Sequence, residues 1–418
     1  MLGILTSAGK WKKPAVISLI ILIFALASFL RIDFLVSVHH EVSHDTVHYD
    51  IMVRQLLEKG VYAYKSTEPN AQVTPGYPLF MAAIYKLADY QHNDPFPYIR
   101  GVQVAISLIT LWMIYVIARK LGGQPAGLIA AFAGAIYPPF VWSNAAVLTE
   151  TLATLFLVIY IYVQWIAFER KTWSFAMLSG AVLGLVVLIR PEFLVIVFAL
   201  HAFYFFWKNE KLEAFRKLAF ALIGMAIVLS PWVIRNAVTL HEVVVASTQV
   251  NPFLAGTYPD KNYEDGLVDN RGKTQMEIAK ERLKVGFTEH TWTFAKWYTI
   301  GKMKSTYSRM YFGSGHKPLY PVIPVLPWNL FHRALVGFGL IALVAVLRKW
   351  RQPATLLAVI IIVMSLVRLA FVPEYRYNYT VMPLIVILDS VVGMAMLRWI
   401  YVRLRGQSSL TKARGQEG

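Results

Sequence analysis

The residues able to do chemistry gather in a few short runs. The longest is His39-His40-Glu41-Val42-Ser43-His44-Asp45-Thr46-Val47-His48-Tyr49-Asp50, and the polar interval it opens closes on Thr74-Pro75-Gly76-Tyr77-Pro78-Leu79-Phe80. Further along stand Glu150, then Arg190 and Glu192 around Pro191, then Arg235, then Glu374 with Arg376. A positioned carboxylate takes the proton from an attacking hydroxyl, and guanidinium groups hold phosphate through charge-assisted bonds. Carboxylates facing arginines across one cavity would suit a sugar esterified to a phosphate on a lipid carrier. Asp45 is the candidate base, and capping the helix that follows is its other, compatible role. His40, His44 and His48 recur every four residues, which invites a zinc site, but no fourth ligand is visible.

These groups sit in an apolar chain. Of 418 residues 57% are hydrophobic and 14% aromatic, the composition of an integral membrane protein. The chain has no cysteine, which excludes disulfides and thiolate metal sites. The net charge of +17 comes from basic residues at the ends of apolar stretches. That pattern reads as topology signals and attraction to anionic lipid, with no nucleic-acid partner.

The elements that must position the polar runs are membrane helices. Apolar stretches at 14–30, 98–118, 126–142, 147–168, 173–189, 193–207, 218–234, 331–347, 353–372 and 379–401 give about ten spans of near-spanning length. Lys10, Lys12 and Lys13 put the N-terminus in the cytoplasm. An even count returns the C-terminus there. The loops then assigned inside carry Arg119-Lys120, Arg170-Lys171, the run 208–217, and Arg348-Lys349-Trp350-Arg351. Asp45, Glu150, Arg190, Glu192, Arg235, Glu374 and Arg376 all fall on the other side.

Four units are expected: a transmembrane module over 1–234 with its first outer loop at 31–97, an outer segment over 235–329 covering the site, C-terminal spans over 330–405, and a polar tail over 406–418. Residues 46–57 and 77–87 read as interfacial helices. In the outer segment 275–283 and 291–311 read as helical, the second mixing Trp292, Phe294, Trp297 and Tyr298 with Lys296, Lys302 and Lys304.

The sequence resembles the GT-C glycosyltransferases that use polyprenyl-phosphate sugars, in the branch of protein O-mannosyltransferases and the lipid A aminoarabinose transferase. The matching pieces are Asp45-Thr46-Val47-His48-Tyr49, Thr74-Pro75-Gly76-Tyr77-Pro78-Leu79, Leu148-Thr149-Glu150-Thr151, Arg190-Pro191-Glu192, Pro231-Trp232-Val233-Ile234-Arg235-Asn236, and Tyr375-Arg376-Tyr377 with Pro383. The resemblance implies an inverting transfer from an undecaprenyl-phosphate donor at the outer face of a bacterial inner membrane, to a glycan, lipid or protein acceptor. Asp45 would be the base, with Glu150 the second catalytic carboxylate. Tyr49, Tyr77, Arg190, Glu192, Arg235, Lys302 and Arg376 would contact donor phosphate or substrate. A divalent metal ion could assist the leaving phosphate, with His44 and His48 as candidate ligands. Thr46 stands where the family often has an acidic residue, and Asn378-Tyr379-Thr380 separates Arg376 from its proline.

Structural alternatives accompany several of these residues. Glu150 and Arg190 could be a buried pair, and Arg190 and Arg235 could be interfacial anchors. A transporter of lipid-linked sugars is the rival from another class. It predicts charges in mid-span, and only Arg368 and Asp389 fit that pattern.

Overall fold

A computed structural model describes residues 13–40, 42, 45–312 and 320–414, with side chains to 403. His44, the basic residues Lys10 and Lys12, and the side chains of the C-terminal tail lie outside the described residues. All regular structure among the described residues is helical.

In chain order the helices are α1 (Lys13–Ser37), α2 (Asp45–Lys59), α3 (Gly76–Leu87), α4 (Phe96–Gly122), α5 (Gln124–Ile136), α6 (Pro138–Trp142), α7 (Thr149–Glu169) and α8 (Trp173–Ile189). A 3-10 turn (Pro191–Val195) leads into α9 (Ile196–Lys208), followed by α10 (Lys211–Leu240). The outer segment carries α11 (Asn251–Gly256), α12 (Gln275–Glu289), α13 (Thr291–Lys296) and α14 (Lys302–Tyr307). Then come α15 (Trp328–Leu347), α16 (Thr355–Arg368), a 3-10 turn (Tyr375–Asn378) and α17 (Met382–Arg414).

Seven helical stretches among the described residues are long and apolar enough to cross a bilayer. The other expected spans are shorter apolar helices, α5, α8 and α16. Proline explains one shortening: Pro138 and Pro139 open α6 and break what reads as one span over 126–142. The protein is a multi-pass membrane protein. Its apolar side chains point outward as well as inward, as on α1, where Ile21, Leu22 and Phe29 are exposed while Ala27, Leu30 and Phe34 are buried. In water this would be a fault; in lipid it is the expected dressing of a span.

Close helix contacts fix the frame. A Cβ added at Gly180 on α8 would lie 1.8 Å from the carbonyl oxygen of Ala221 on α10, and one at Gly224 would lie 1.9 Å from that of Met177. The two glycines let these backbones touch, the usual basis of tight packing between membrane helices. Arg31, fully buried on α1, donates to Ser107 Oγ at 2.9 Å and to the carbonyls of Ala27, Gly134 and Ala135. A buried guanidinium satisfied in this way fastens α1 to α4 and α5.

The expected interfacial helices are α2 and α3. α3 begins where Pro75 and Gly76 end the loop, and a Cβ at Gly76 would meet Leu188 O at 2.7 Å, so the helix start lies directly on the end of α8. Thr74 Oγ1 donates to Ile189 O alongside. In the outer segment the expected helix over 291–311 is α13 joined to α14 through a π turn at Trp297–Gly301. α12 starts with a capping box between Thr274 and Glu277.

Candidate active site

The ends of the helices build one cavity of about 1000 Å³. Its walls come from the C-terminal end of α1, the start of α2, the loop before α7, the end of α8, the outer segment at 249–263 and the strap 372–377 between α16 and α17. Residues at these termini line one cavity, so the termini share one side of the bundle. Side chains far apart in sequence meet there because every span returns to that side.

Asp45 stands in the first turn of α2 and faces the cavity. Its Oδ2 accepts from Arg376 Nη1 at 2.9 Å and its Oδ1 accepts from the Tyr64 hydroxyl at 3.3 Å. Burial alone would raise its pKa, but the Arg376 guanidinium, Lys65 and the Tyr64 hydroxyl hold the carboxyl below the usual carboxylate range. These partners favour the carboxylate form of Asp45. The same surroundings push the Tyr64 and Tyr49 phenols well above their ordinary value, burial being the largest cause. Both tyrosines line the cavity as neutral groups.

A second network lies beside the first. Arg190 Nη1 donates to Glu150 Oε1 at 2.9 Å and to Thr149 Oγ1 at 3.2 Å, with Glu192 Oε1 3.4 Å from its Nε. The Glu150 and Arg190 side chains are 3% and 7% exposed. Glu192 also meets Arg368 Nη2 at 3.2 Å, and Arg368 donates to Thr380 Oγ1 at 2.8 Å. Charge thus alternates along Glu150, Arg190, Glu192 and Arg368. The ring of Tyr377 sits among three guanidinium groups, with Arg190, Arg376 and Arg368 at 5.3, 5.8 and 6.0 Å from its centroid.

The cavity brings together Asp45, Tyr49, Glu150, Arg190 and Arg376. Glu192 supports it from behind Arg190. Three expected contacts fall elsewhere. Tyr77 is fully buried in an apolar cluster with its hydroxyl on Gln103 Oε1, because α3 turns its aromatic face onto α4. Arg235 donates to the carbonyls of Asn70 and Tyr62 at 2.9 Å and packs over Tyr62 and Trp232. With Trp232 and Asn236, which donate to Ala246 O and Val244 O, it fastens the loop after α2 and the chain after α10 to the end of α10. Lys302 donates to Leu369 O at 2.6 Å beneath the Tyr298 ring, which docks the outer segment on the end of α16. Burial lowers its pKa to about 7.

Of the histidine pattern, His40 and His48 are described. His40 precedes α2 and packs against Phe34, while His48 lies on α2 against Tyr64. Among the described residues no three His, Asp or Glu side chains come together as metal ligands. Among the described residues, the carboxylates Asp45, Glu150 and Glu192 are each paired with an arginine.

The motifs left out Tyr64, Lys65 and Arg100 as cavity walls, and Tyr377 stood in a motif without a role of its own. Arg100 donates to the carbonyls of Ala145 and His40. Tyr64 and Lys65 lie in a loop with no periodic pattern, and Lys65 has φ 54°, which sequence does not announce for a lysine. Arg368, apparently a mid-span charge, is the last residue of α16 and belongs to the site network. Asp389 is buried on α17 with both carboxylate oxygens unpartnered.

The fold and the cavity can be compared with those of known proteins. Residues 72–234 match the family described as dolichyl-phosphate-mannose-protein mannosyltransferase. That stretch holds Glu150, Arg190 and Glu192 but neither Asp45 nor Arg376. No curated protein matches the sequence. The archaeal oligosaccharyltransferase AglB from Archaeoglobus fulgidus, in complex with an inhibitory peptide and a dolichol-phosphate, superposes with a TM-score of 0.59 at 14% identity, over 97% of this chain and 52% of that one. The apo form of the A. fulgidus oligosaccharyltransferase gives 0.59 at 13% identity, over 95% and 52%. ArnT from Cupriavidus metallidurans bound to undecaprenyl phosphate gives 0.43 at 12% identity, over 90% and 77%. The chain spans about half the length of the oligosaccharyltransferases it matches. It has the GT-C fold of membrane glycosyltransferases.

Proposed function

We propose that this protein is an inverting glycosyltransferase that moves a hexosyl or pentosyl unit from a polyprenyl-phosphate donor, undecaprenyl phosphate being the expected carrier, to an envelope acceptor. The acceptor would be lipopolysaccharide, another glycolipid or a cell-wall polymer, at the outer face of a bacterial inner membrane. The observation that carries the reading is that Asp45 lines the same cavity as Arg190 and Arg376 and accepts a hydrogen bond from Arg376. The matched family and the fold point the same way.

In this mechanism Asp45 accepts the acceptor's hydroxyl proton, a contribution of about 10²- to 10⁴-fold for a positioned base. The sugar passes through an oxocarbenium-like state while negative charge gathers on the departing phosphate, and the fixed guanidinium groups stabilise that charge. A base held at low pKa suffices here, because a hydroxyl attacking an electron-poor anomeric carbon becomes acidic as its bond forms. The outer segment supplies Gln249, Asn251, Pro252, Ala255 and Tyr263 to the cavity wall. We assign it the role of a cover that keeps competing water out. Basic inner loops orient both termini to the cytoplasm.

The test is transfer by purified protein in nanodiscs, with a panel of radiolabelled polyprenyl-phosphate sugars and extracted envelope glycolipid, for wild type and Asp45→Asn. Transfer by wild type that collapses in the variant supports the assignment. Undiminished transfer in Asp45→Asn removes Asp45 from the chemistry, and no transfer with any donor counts against the enzyme reading.

A further inference from the structure

We propose that Arg376 changes partner during turnover, passing from Asp45 to the phosphate of the lipid carrier as Asp45 takes the acceptor's proton. This handover rests on the glycosyltransferase reading above and assigns to one ion pair a task that links its two half-reactions.

The first ground is charge balance. The acceptor O–H gives its proton to Asp45, the acceptor oxygen forms a bond to the anomeric carbon, and the bond from that carbon to the phosphate oxygen breaks. The electron pair leaves with the phosphate, which goes from a diester monoanion to a monoester dianion. One negative charge therefore disappears at Asp45 as one appears at the phosphate. A cation that follows this displacement stabilises the transition state more than the ground state, which is what acceleration requires.

The second ground is how the arginines are held. Arg190 is bound by Glu150, Glu192 and Thr149, and Arg368 by Glu192 and Thr380. In the mechanism proposed above the acceptor's proton goes to Asp45, and neither carboxylate of that network takes it. Arg376 is bonded to the one carboxylate that does. The Arg376 and Asp45 side chains are 33% and 35% exposed, on a shared cavity, so phosphate can reach the guanidinium.

The third ground is that only the side chain is free to move. The strap bearing Arg376 is fixed by Val372 N on Pro252 O, by Lys261 on Glu374 at 2.6 Å, and by Asn378 Nδ2 on the carbonyls of Thr306 and Arg309. The Tyr377 ring offers the guanidinium a resting face at 5.8 Å. The other groups around the pair are Tyr49 on α2, Tyr64 and Lys65 in the following loop, Glu150 on α7, Arg190 after α8, Tyr311 after α14 and Tyr375 on the strap. Glu150 attracts Arg376 as well, so the arginine lies in the field of two carboxylates, only one of which accepts a proton.

The test is binding of undecaprenyl phosphate, the carrier without its sugar, to the full chain in detergent. Asp45→Asn reproduces the neutral state of the base and releases Arg376, so it should bind the carrier about 10-fold more tightly than wild type, within the usual range of coupling between two sites. Arg376→Gln should bind more weakly than wild type, and in the Asp45→Asn/Arg376→Gln double variant the tightening should vanish. Calorimetry in buffers of different ionisation enthalpy should show that wild type takes up more protons on binding than Asp45→Asn, a readout insensitive to partial unfolding of a variant. Equal affinity in Asp45→Asn, or tightening that survives without Arg376, overturns the handover while leaving the donor assignment intact. Failure of wild type to bind undecaprenyl phosphate overturns the donor reading and the handover with it.

Discussion

Glu150 lines the cavity and is also one end of a buried ion-pair chain, and stability can separate those roles. Replacing Glu150 by Gln removes a charge from a site where Arg190 keeps Glu192 at 3.4 Å and Thr149 at 3.2 Å. The loss should be that of one hydrogen bond to a charged group, about 1.5–3 kcal/mol. Replacing Arg190 by Met is a different event. It leaves Glu150, whose side chain is 3% exposed, without the guanidinium that binds it, and Glu192 with Arg368 alone. Breaking a buried pair in that way costs about 3–5 kcal/mol. Arg368→Met should fall between the two, because Glu192 then retains Arg190. The assay is thermal unfolding of the three variants in one detergent, followed by intrinsic fluorescence. The expected order of midpoints is wild type, Glu150→Gln, Arg368→Met, Arg190→Met. A Glu150→Gln variant less stable than Arg190→Met would refute the network argument, since it would mean that Arg190 is not shared. If the order holds and Glu150→Gln also loses transfer while keeping carrier affinity, Glu150 acts in the chemistry beyond its pairing.

Three further outcomes follow from the same geometry. Asp45 is held below the usual carboxylate range, so transfer should be flat with pH from neutrality down into the ordinary carboxylate range and fall only below it; in Arg376→Gln that acid limb should move upward, and an unmoved limb would detach Arg376 from Asp45. Arg235→Gln should leave the Asn70 carbonyl unpaired and the Tyr62 carbonyl with the Asn70 N–H alone, at about 1–3 kcal/mol, and speed amide exchange in the loop after α2; lost carrier affinity with unchanged exchange would return Arg235 to the phosphate. Lys302 has its folded pKa lowered to about 7 by burial, so the unfolded chain binds the extra proton between there and its ordinary value, and stability should rise with pH across that window. Lys302→Met should flatten the rise, and melting curves from pH 6 to 10 that keep the wild-type slope would exclude this lysine as its source.

The sequence determined the elements and which charged residues gather at one end of the bundle. Apolar length specifies a spanning helix whatever its neighbours are, because a backbone in lipid must satisfy its own hydrogen bonds. Charged residues at alternate span ends must share one side. Hence Asp45, Glu150, Arg190 and Arg376 were legible before any coordinates, as were α2, α3 and the helical stretch after Thr291. Partners were not legible. Tyr77 and Arg235 sit in motifs as suggestive as that of Arg190, yet one packs against α4 and the other secures a loop, because rotation of a helix about its axis is set by what it packs against. Tyr64, Lys65 and Arg100 carry no periodic signal, and only the closing of the first loop over α2 and the crossing of α4 bring them to the cavity. The pairing of Asp45 with Arg376 joins residues 331 positions apart. It exists because the strap before α17 is pinned beneath the outer segment, a condition of tertiary packing that no local pattern encodes.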